Sequence, residues 1–205
     1  MIIEVCAESY EYAVKAEKAG ADRIELCKDL HLDGLTPDYE SAKRTIDLLN
    51  IPVFVLIRPR GGDFIYSNEE FELMKQDILK FKEMGFKGIV SGVLNDDNSI
   101  DIKRTKELVE LSRPLEFTFH RAFDVVNNPI KELEKLIQLG IDRVLTSGQK
   151  DNAIEGLELL KEFKNISKNR IKIMPGSGIN KSNIVNFKSF EEIHGSFKNE
   201  ANLKL

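Results

Sequence analysis

The sequence predicts an α/β fold: eight parallel strands closed into a compact TIM-type (β/α)8 barrel with a reduced or missing last helix. Three observations predict it. Eight short apolar runs alternate with amphipathic stretches along the 205 residues. The segments AGADRIELC, MGFKGIVSG and LGIDRVLTSG repeat one plan: a helix-ending glycine, two or three linking residues, then a buried run. No Pro/Ser-rich linker breaks the alternation, so residues 1–205 are expected to form a single domain.

The runs, in order, are IIEVCA (2–7), RIELC (23–27), PVFVLI (52–57), GIVSGV (88–93), LEFTFH (115–120), RVLTS (143–147), IKIM (171–174) and EEIHGS (191–196). Each is rich in Val, Ile, Leu or Phe, as parallel strands buried on both faces are. The stretches between them read as helices. Thr36-Pro37 and Asn128-Pro129 each pair a capping residue with proline at the first helical position. Ser67 and Glu70 form a capping box. Phe71, Met74, Ile78 and Phe81 then share one helical face, and Gly85 ends the helix. Ile130, Leu133 and Leu136/Ile137 make the next stripe, stopped at Gly140. The length is near the floor for this fold, for which about 250 residues is typical. The shortage falls at the end, because FKNEANLKL after Ser196 is too short and polar for a full eighth helix. The alternative is a doubly wound open sheet, which usually carries a Gly-rich phosphate turn after its first strand. Here that turn reads CAESYEY, without glycine.

Composition narrows the function. Hydrophobic residues at 41% and charged residues at 31% fit a soluble globular domain. A net charge of −4 gives no general attraction to nucleic acid or to an anionic membrane. No apolar run approaches the roughly 20 residues of a membrane helix. The start, MIIEVCAESY, lacks the basic and apolar regions of a secretory signal. Two cysteines make no disulfide framework, so the chain is expected in the cytoplasm with reduced thiols.

In a barrel, function gathers at the C-terminal ends of the strands. Polar residues collect there: Glu4 and Cys6, Glu25 and Cys27, then Arg58, Arg60 and Asp63. Thr118, His120, Arg121 and Asp124 follow the fifth run, Thr146 and Ser147 the sixth, Gly176 and Gly178 the seventh, and His194 and Ser196 the eighth. Side chains two apart on a strand share a face, so each Glu-x-Cys triplet points one carboxylate and one thiol the same way. A glutamate inside a barrel needs a partner, and Arg58 and Arg60 are the expected ones.

Two chemistries fit. Cu(I) prefers thiolate and imidazole, and the first, second and eighth strands are neighbours in a closed barrel, so Cys6, Cys27 and His194 are expected to converge. No Cys-x-x-Cys or His-x-x-His spacing reinforces that set, and strand-end cysteines also serve as small buried hydrophobes. The alternative is a lyase, isomerase or hydrolase acting on a small anionic or phosphorylated metabolite. Glu4, Glu25, His120 and Asp124 would supply acid and base. Arg58, Arg60 and Arg121 would clamp the anion, among Asp63, Thr146, Ser147, Gly176, Gly178 and Ser196. Core Glu–Arg pairs can equally be structural. His31 reads as an exposed loop residue and Met174 as packing.

The segments IEVCAES, AGADRIELC, DGLTPDYE, VLIRPRGGDFIYSNEE, TFHRAFDVVNNP, LGIDRVLTSGQ, IMPGSGI and EEIHGS resemble the CutC copper-homeostasis family. The resemblance runs from about residue 2 to 197. It implies a TIM barrel, a cytosolic role in copper tolerance, the cysteines as ligands of Cu(I), and a homodimer or higher homo-oligomer. Two departures stand out: Asp33-Gly34 where a Gly-Gly pair is commoner, and the short C-terminus, which implies an eighth helix reduced or replaced by a partner surface.

Overall fold

The computed structural model of the chain describes residues 1–197 and 202–203. Eight strands form one parallel sheet: β1 Ile2–Ala7, β2 Arg23–Leu26, β3 Val53–Leu56, β4 Gly88–Ser91, β5 Glu116–Phe119, β6 Arg143–Thr146, β7 Lys172–Pro175 and β8 Glu192–Gly195. Their spatial order is β7-β6-β5-β4-β3-β2-β1-β8, which curls into a nearly closed barrel. All eight predicted runs are strands. β7 and β8 lie against each other, but the described residues form no backbone ladder across that seam. Side chains bridge it instead: Lys172 on β7 reaches Glu192 on β8 at 3.0 Å.

Six α-helices among the described residues surround the sheet: α1 Tyr10–Ala19, α2 Tyr39–Leu48, α3 Asn68–Met84, α4 Ile102–Ser112, α5 Pro129–Gln138 and α6 Leu157–Ser167. The capping box at Ser67 and Glu70 forms in both directions, and Gly85 closes α3 at φ 95°, donating to the carbonyls of Phe81 and Lys82. Asn128 caps α5 with Pro129 in its first turn. The expectation at Thr36-Pro37 is corrected. α2 begins two residues later, capped by Asp38, whose carboxylate accepts from the Ser41 N–H at 2.8 Å. Thr36 Oγ1 is committed elsewhere, accepting the Arg58 N–H at 2.8 Å.

Among the described residues one unit is shorter than expected. Between β7 and β8 a 3-10 turn, Ile184–Phe187, stands where a helix was expected. Most of the segment expected to lack an eighth helix lies outside the described residues. Leu203 is buried and donates its N–H to the Ala19 carbonyl at 2.7 Å, so the chain returns to the end of α1. Among the described residues no helix is long and apolar enough to cross a membrane.

The apolar core lies between strands and helices. Val5, Ile24, Val55, Ile89, Phe117 and Val144 pack with Ile78, Phe81, Leu133 and Phe163 in one cluster. The alternate strand positions fill the barrel, and there the chemistry changes. Arg23 and Arg143 stack their guanidinium groups on Phe54, 4.7 and 4.9 Å from its centroid. Gly88 makes room for that ring, since a Cβ there would stand 2.5 Å from it.

Candidate functional site

Register builds the site. β1 sets Glu4 beside Arg23 and Cys6 beside Glu25 on β2, and Glu4 beside His194 on β8. Glu4, fully buried, accepts from Arg23 Nε at 2.5 Å and contacts His194 Nδ1 at 2.8 Å. The other end of the Arg23 guanidinium binds Glu192 at 2.5 Å and donates to the Met174 thioether at 3.4 Å. Glu192 also receives Arg143 Nε at 2.9 Å. Arg143 continues to Thr118 Oγ1 at 3.2 Å and to Glu116. A chain of alternating charge thus fills the barrel. Burial alone would raise the Glu4 carboxyl, but Arg23 and His194 overcome it and hold it at about 2. Glu192 is likewise held at about 2, where Arg143 and Arg23 outweigh burial.

This corrects the expected pairing. Arg58 and Arg60 do not meet Glu4 or Glu25. Arg58 donates to the carbonyls of Leu32, Gly34 and Gly62 at 2.7, 3.0 and 2.9 Å. Arg60 turns outward to Glu70 and Asp63, both at 2.8 Å. The partners of Glu4 come from the adjacent strand, where register already places a guanidinium. Sequence reasoning missed Arg23, Arg143, Glu192 and Phe54 as members of the interior. The available signal was parity: Arg23 stands two before Glu25, and Glu192 two before His194.

Alongside these charges Cys6 Sγ, a Glu25 carboxylate oxygen and a His194 ring nitrogen lie within 4.8 Å of one another. Cys27 Sγ is 3.4 Å from Cys6 Sγ and 3.6 Å from the Ala7 carbonyl. Both thiols are free and buried. The neighbouring Cys27 thiol and burial push the Cys6 thiol well up, so it is protonated at neutral pH. Glu25 is pushed up to about 7 by burial, with Glu4 adding repulsion. Its Oε2 has no hydrogen-bond partner, and His194 Nδ1 is 3.7 Å away. Burial lowers His194, but the Glu25 and Glu4 carboxylates and contact with Cys6 carry it well above its ordinary value.

Over this cluster opens a cavity of about 530 Å³. Cys6, Glu25 and His194 line it with Arg58, His120 and the apolar Leu56, Phe64, Leu145 and Ile179. His120 Nδ1 accepts the Ala122 N–H at 3.3 Å, which leaves the ring proton on Nε2. That Nε2 is buried without a partner. Burial and the Arg58 charge push His120 down to about 3, so it is neutral near pH 7 and offers a hydrogen bond rather than a proton.

The remaining predicted residues divide. Arg121, Asp124, Gly178 and Ser196 line the cavity. Asp124 is occupied: it takes Arg121 Nε at 2.8 Å, the Thr146 hydroxyl, and the backbone N–H groups of Ser147 and Gln149 at 3.0 and 3.2 Å. Thr146 and Ser147 therefore fold the loop after β6. Gly176 leaves room for Leu145 and His194. His31 is exposed and Met174 fully buried, as expected.

A family model described as the CutC family matches residues 1–199. The chain belongs to the CutC family. A CutC family protein of Photorhabdus laumondii is 47% identical over 196 residues, 95% of this chain and 79% of that protein. The human copper homeostasis protein cutC homolog is 49% identical over 183 residues, 89% of this chain and 67% of that one. The crystal structure of the CutC protein of Streptococcus agalactiae superposes with a TM-score of 0.90 at 33% identity, covering 96% of this chain and 98% of that chain. An aldolase, QR15, superposes at 0.71 with 15% identity over 96% of this chain and 90% of that one, which shares the barrel alone. Membership in the CutC family and the TIM barrel agree with the sequence reading.

Proposed function

We propose that this CutC-family chain serves copper homeostasis in the cytoplasm by binding Cu(I) at Cys6, Cys27 and His194. The observation that carries the proposal is the meeting of the Cys6 thiol with an imidazole and a carboxylate in the lining of a cavity, with the Cys27 thiol 3.4 Å behind it. Thiolate and imidazole suit Cu(I), whereas Mg²⁺ and Ca²⁺ take oxygen ligands. Relatives in the human and bacterial proteomes carry the copper-homeostasis name, which points the same way. Glu25, held at about 7, lies beside the groups that must shed protons on metal binding and is suited to take one. The site needs the Cys6 thiol to deprotonate, so Cu(I) affinity should rise with pH.

An anaerobic Cu(I) titration against a chromophoric chelator tests this. Wild type is expected to take up about one Cu(I) per chain, and the Cys6→Ser/Cys27→Ser double variant to lose it, because a hydroxyl is a poor ligand for a soft ion. Full affinity in the double variant would overturn the proposal.

A further inference from the structure

Three buried residues that line the cavity each carry an atom without a hydrogen-bond partner in the protein: Arg58 Nε, His120 Nε2 and Glu25 Oε2, the last 3.7 Å from His194 Nδ1. These residues are 3%, 5% and 4% exposed, so bulk water does not readily serve them. Buried polar atoms are normally paired, so three cavity-lining residues short of a hydrogen bond are candidates to bind an occupant. The copper reading takes Cys6, Cys27 and His194 as ligands with Glu25 beside them, and leaves Arg58 and His120 without a role.

Charge adds a second, independent observation. Arg58 donates only to neutral carbonyls, and among the described residues it makes no ion pair. A buried guanidinium without an anion is costly, and the usual remedy is a carboxylate. The other cations near the cavity are committed: Arg121 to Asp124, and His194 to Glu4. Arg58 is thus the cation of the lining without a carboxylate partner, which suits the carboxylate of a small acid. His120, neutral with its proton on Nε2, donates from the same lining.

We infer that the cavity is a binding site for a small hydroxycarboxylate, its carboxylate held by Arg58 and His120 and its hydroxyl by Glu25. Leu56, Phe64 and Leu145 supply the apolar wall for a short carbon skeleton. A volume of about 530 Å³ is of the size that small-molecule sites have. This inference does not rest on copper binding: Cys6 lines the cavity beside Glu25 but is given no contact to the acid, and Cys27 is outside the lining.

Isothermal titration of the full chain with glycolate, lactate, glycerate and 2-hydroxybutyrate tests it. Lactamide removes the charge, propionate removes the hydroxyl, and inorganic phosphate probes the rival anion. At least one hydroxycarboxylate is expected to bind saturably, with its amide about tenfold weaker or worse, as loss of a charge-assisted hydrogen bond implies. His120→Phe keeps an aromatic ring against Phe64, which now packs 4.9 Å away, and removes the donor. It is expected to weaken binding about tenfold while an unchanged far-ultraviolet spectrum shows that it folds. The Cys27→Ser variant, whose thiol is outside the cavity lining, is expected to bind the acid as wild type does while its Cu(I) affinity falls, which separates this site from the copper site. No saturable binding across the four acids overturns the inference. So does lactamide matching lactate, phosphate binding more tightly than every acid, or a folded His120→Phe variant with full affinity.

Discussion

Glu4 and Glu25 sit on adjacent strands and ionise in opposite senses. Glu4 has Arg23 at 2.5 Å and is held at about 2, while Glu25 has no such donor and stands at about 7. The stability consequences follow by linkage. Glu4 contributes stability that is present above its ordinary value of 4.5 and is lost as pH falls toward 2. Glu25 binds its proton more tightly when folded, so its penalty grows as pH rises from 4.5 to about 7 and is complete above that. Glu25→Gln should therefore gain stability relative to wild type across that window, by about 3 kcal/mol at most. Thermal denaturation from pH 4.5 to 8 reads it, and a pH-independent difference would refute the assignment. Glu192→Gln should behave otherwise. It leaves Arg23 and Arg143 short of a buried anion and should cost about 3–5 kcal/mol by urea denaturation at pH 7. The Glu-x-Cys triplets were legible as inward-facing because strand parity is local. The partner of Glu4 was not, because register between strands decides it.

At the scale of elements, the clearest signals were those carried by neighbouring residues. Ser67 and Glu70 satisfy each other's backbone donors within one turn, so the start of α3 is readable without the rest of the fold. Ser67→Ala should cost about 1 kcal/mol in chemical denaturation, leaving the barrel intact. Thr36 misled because two side chains compete to cap α2. Asp38 wins, and Thr36 is drawn to the Arg58 backbone on the next loop. Gly88 gave no sign of its role, since its need is set by Phe54 on the adjacent strand. Gly88→Ala forces that ring away from Arg23 and Arg143. It is expected to destabilise by about 1–3 kcal/mol through overpacking, measured by the shift in denaturation midpoint.

Over the whole molecule, the barrel is held by backbone ladders everywhere except between β7 and β8. There the described residues meet through side chains, Lys172 to Glu192 across the strands and Arg143 to Glu192 from β6. Amide hydrogen exchange should therefore be faster in β7 and β8 than in β1, which is paired on both sides. Equal protection would mean that the seam closes in solution. The same charged chain that bridges this seam runs through the interior to Glu4, so the closure of the barrel and the electrostatics of the site share residues. The eight strands, their order of appearance, the parity that turns Glu4, Cys6, Glu25, Cys27 and His194 inward, and the family were all readable along the chain. Those properties depend on spacing along the chain and on residue type. Tertiary packing alone makes Arg23 rather than Arg58 the neutraliser of Glu4, and brings Arg58 and His120 into the cavity lining, each with a buried nitrogen lacking a hydrogen-bond partner. It also decided that two carboxylates of identical sequence setting differ by several units in acidity. Those depend on which residues become neighbours across the sheet, a relation that local sequence does not encode.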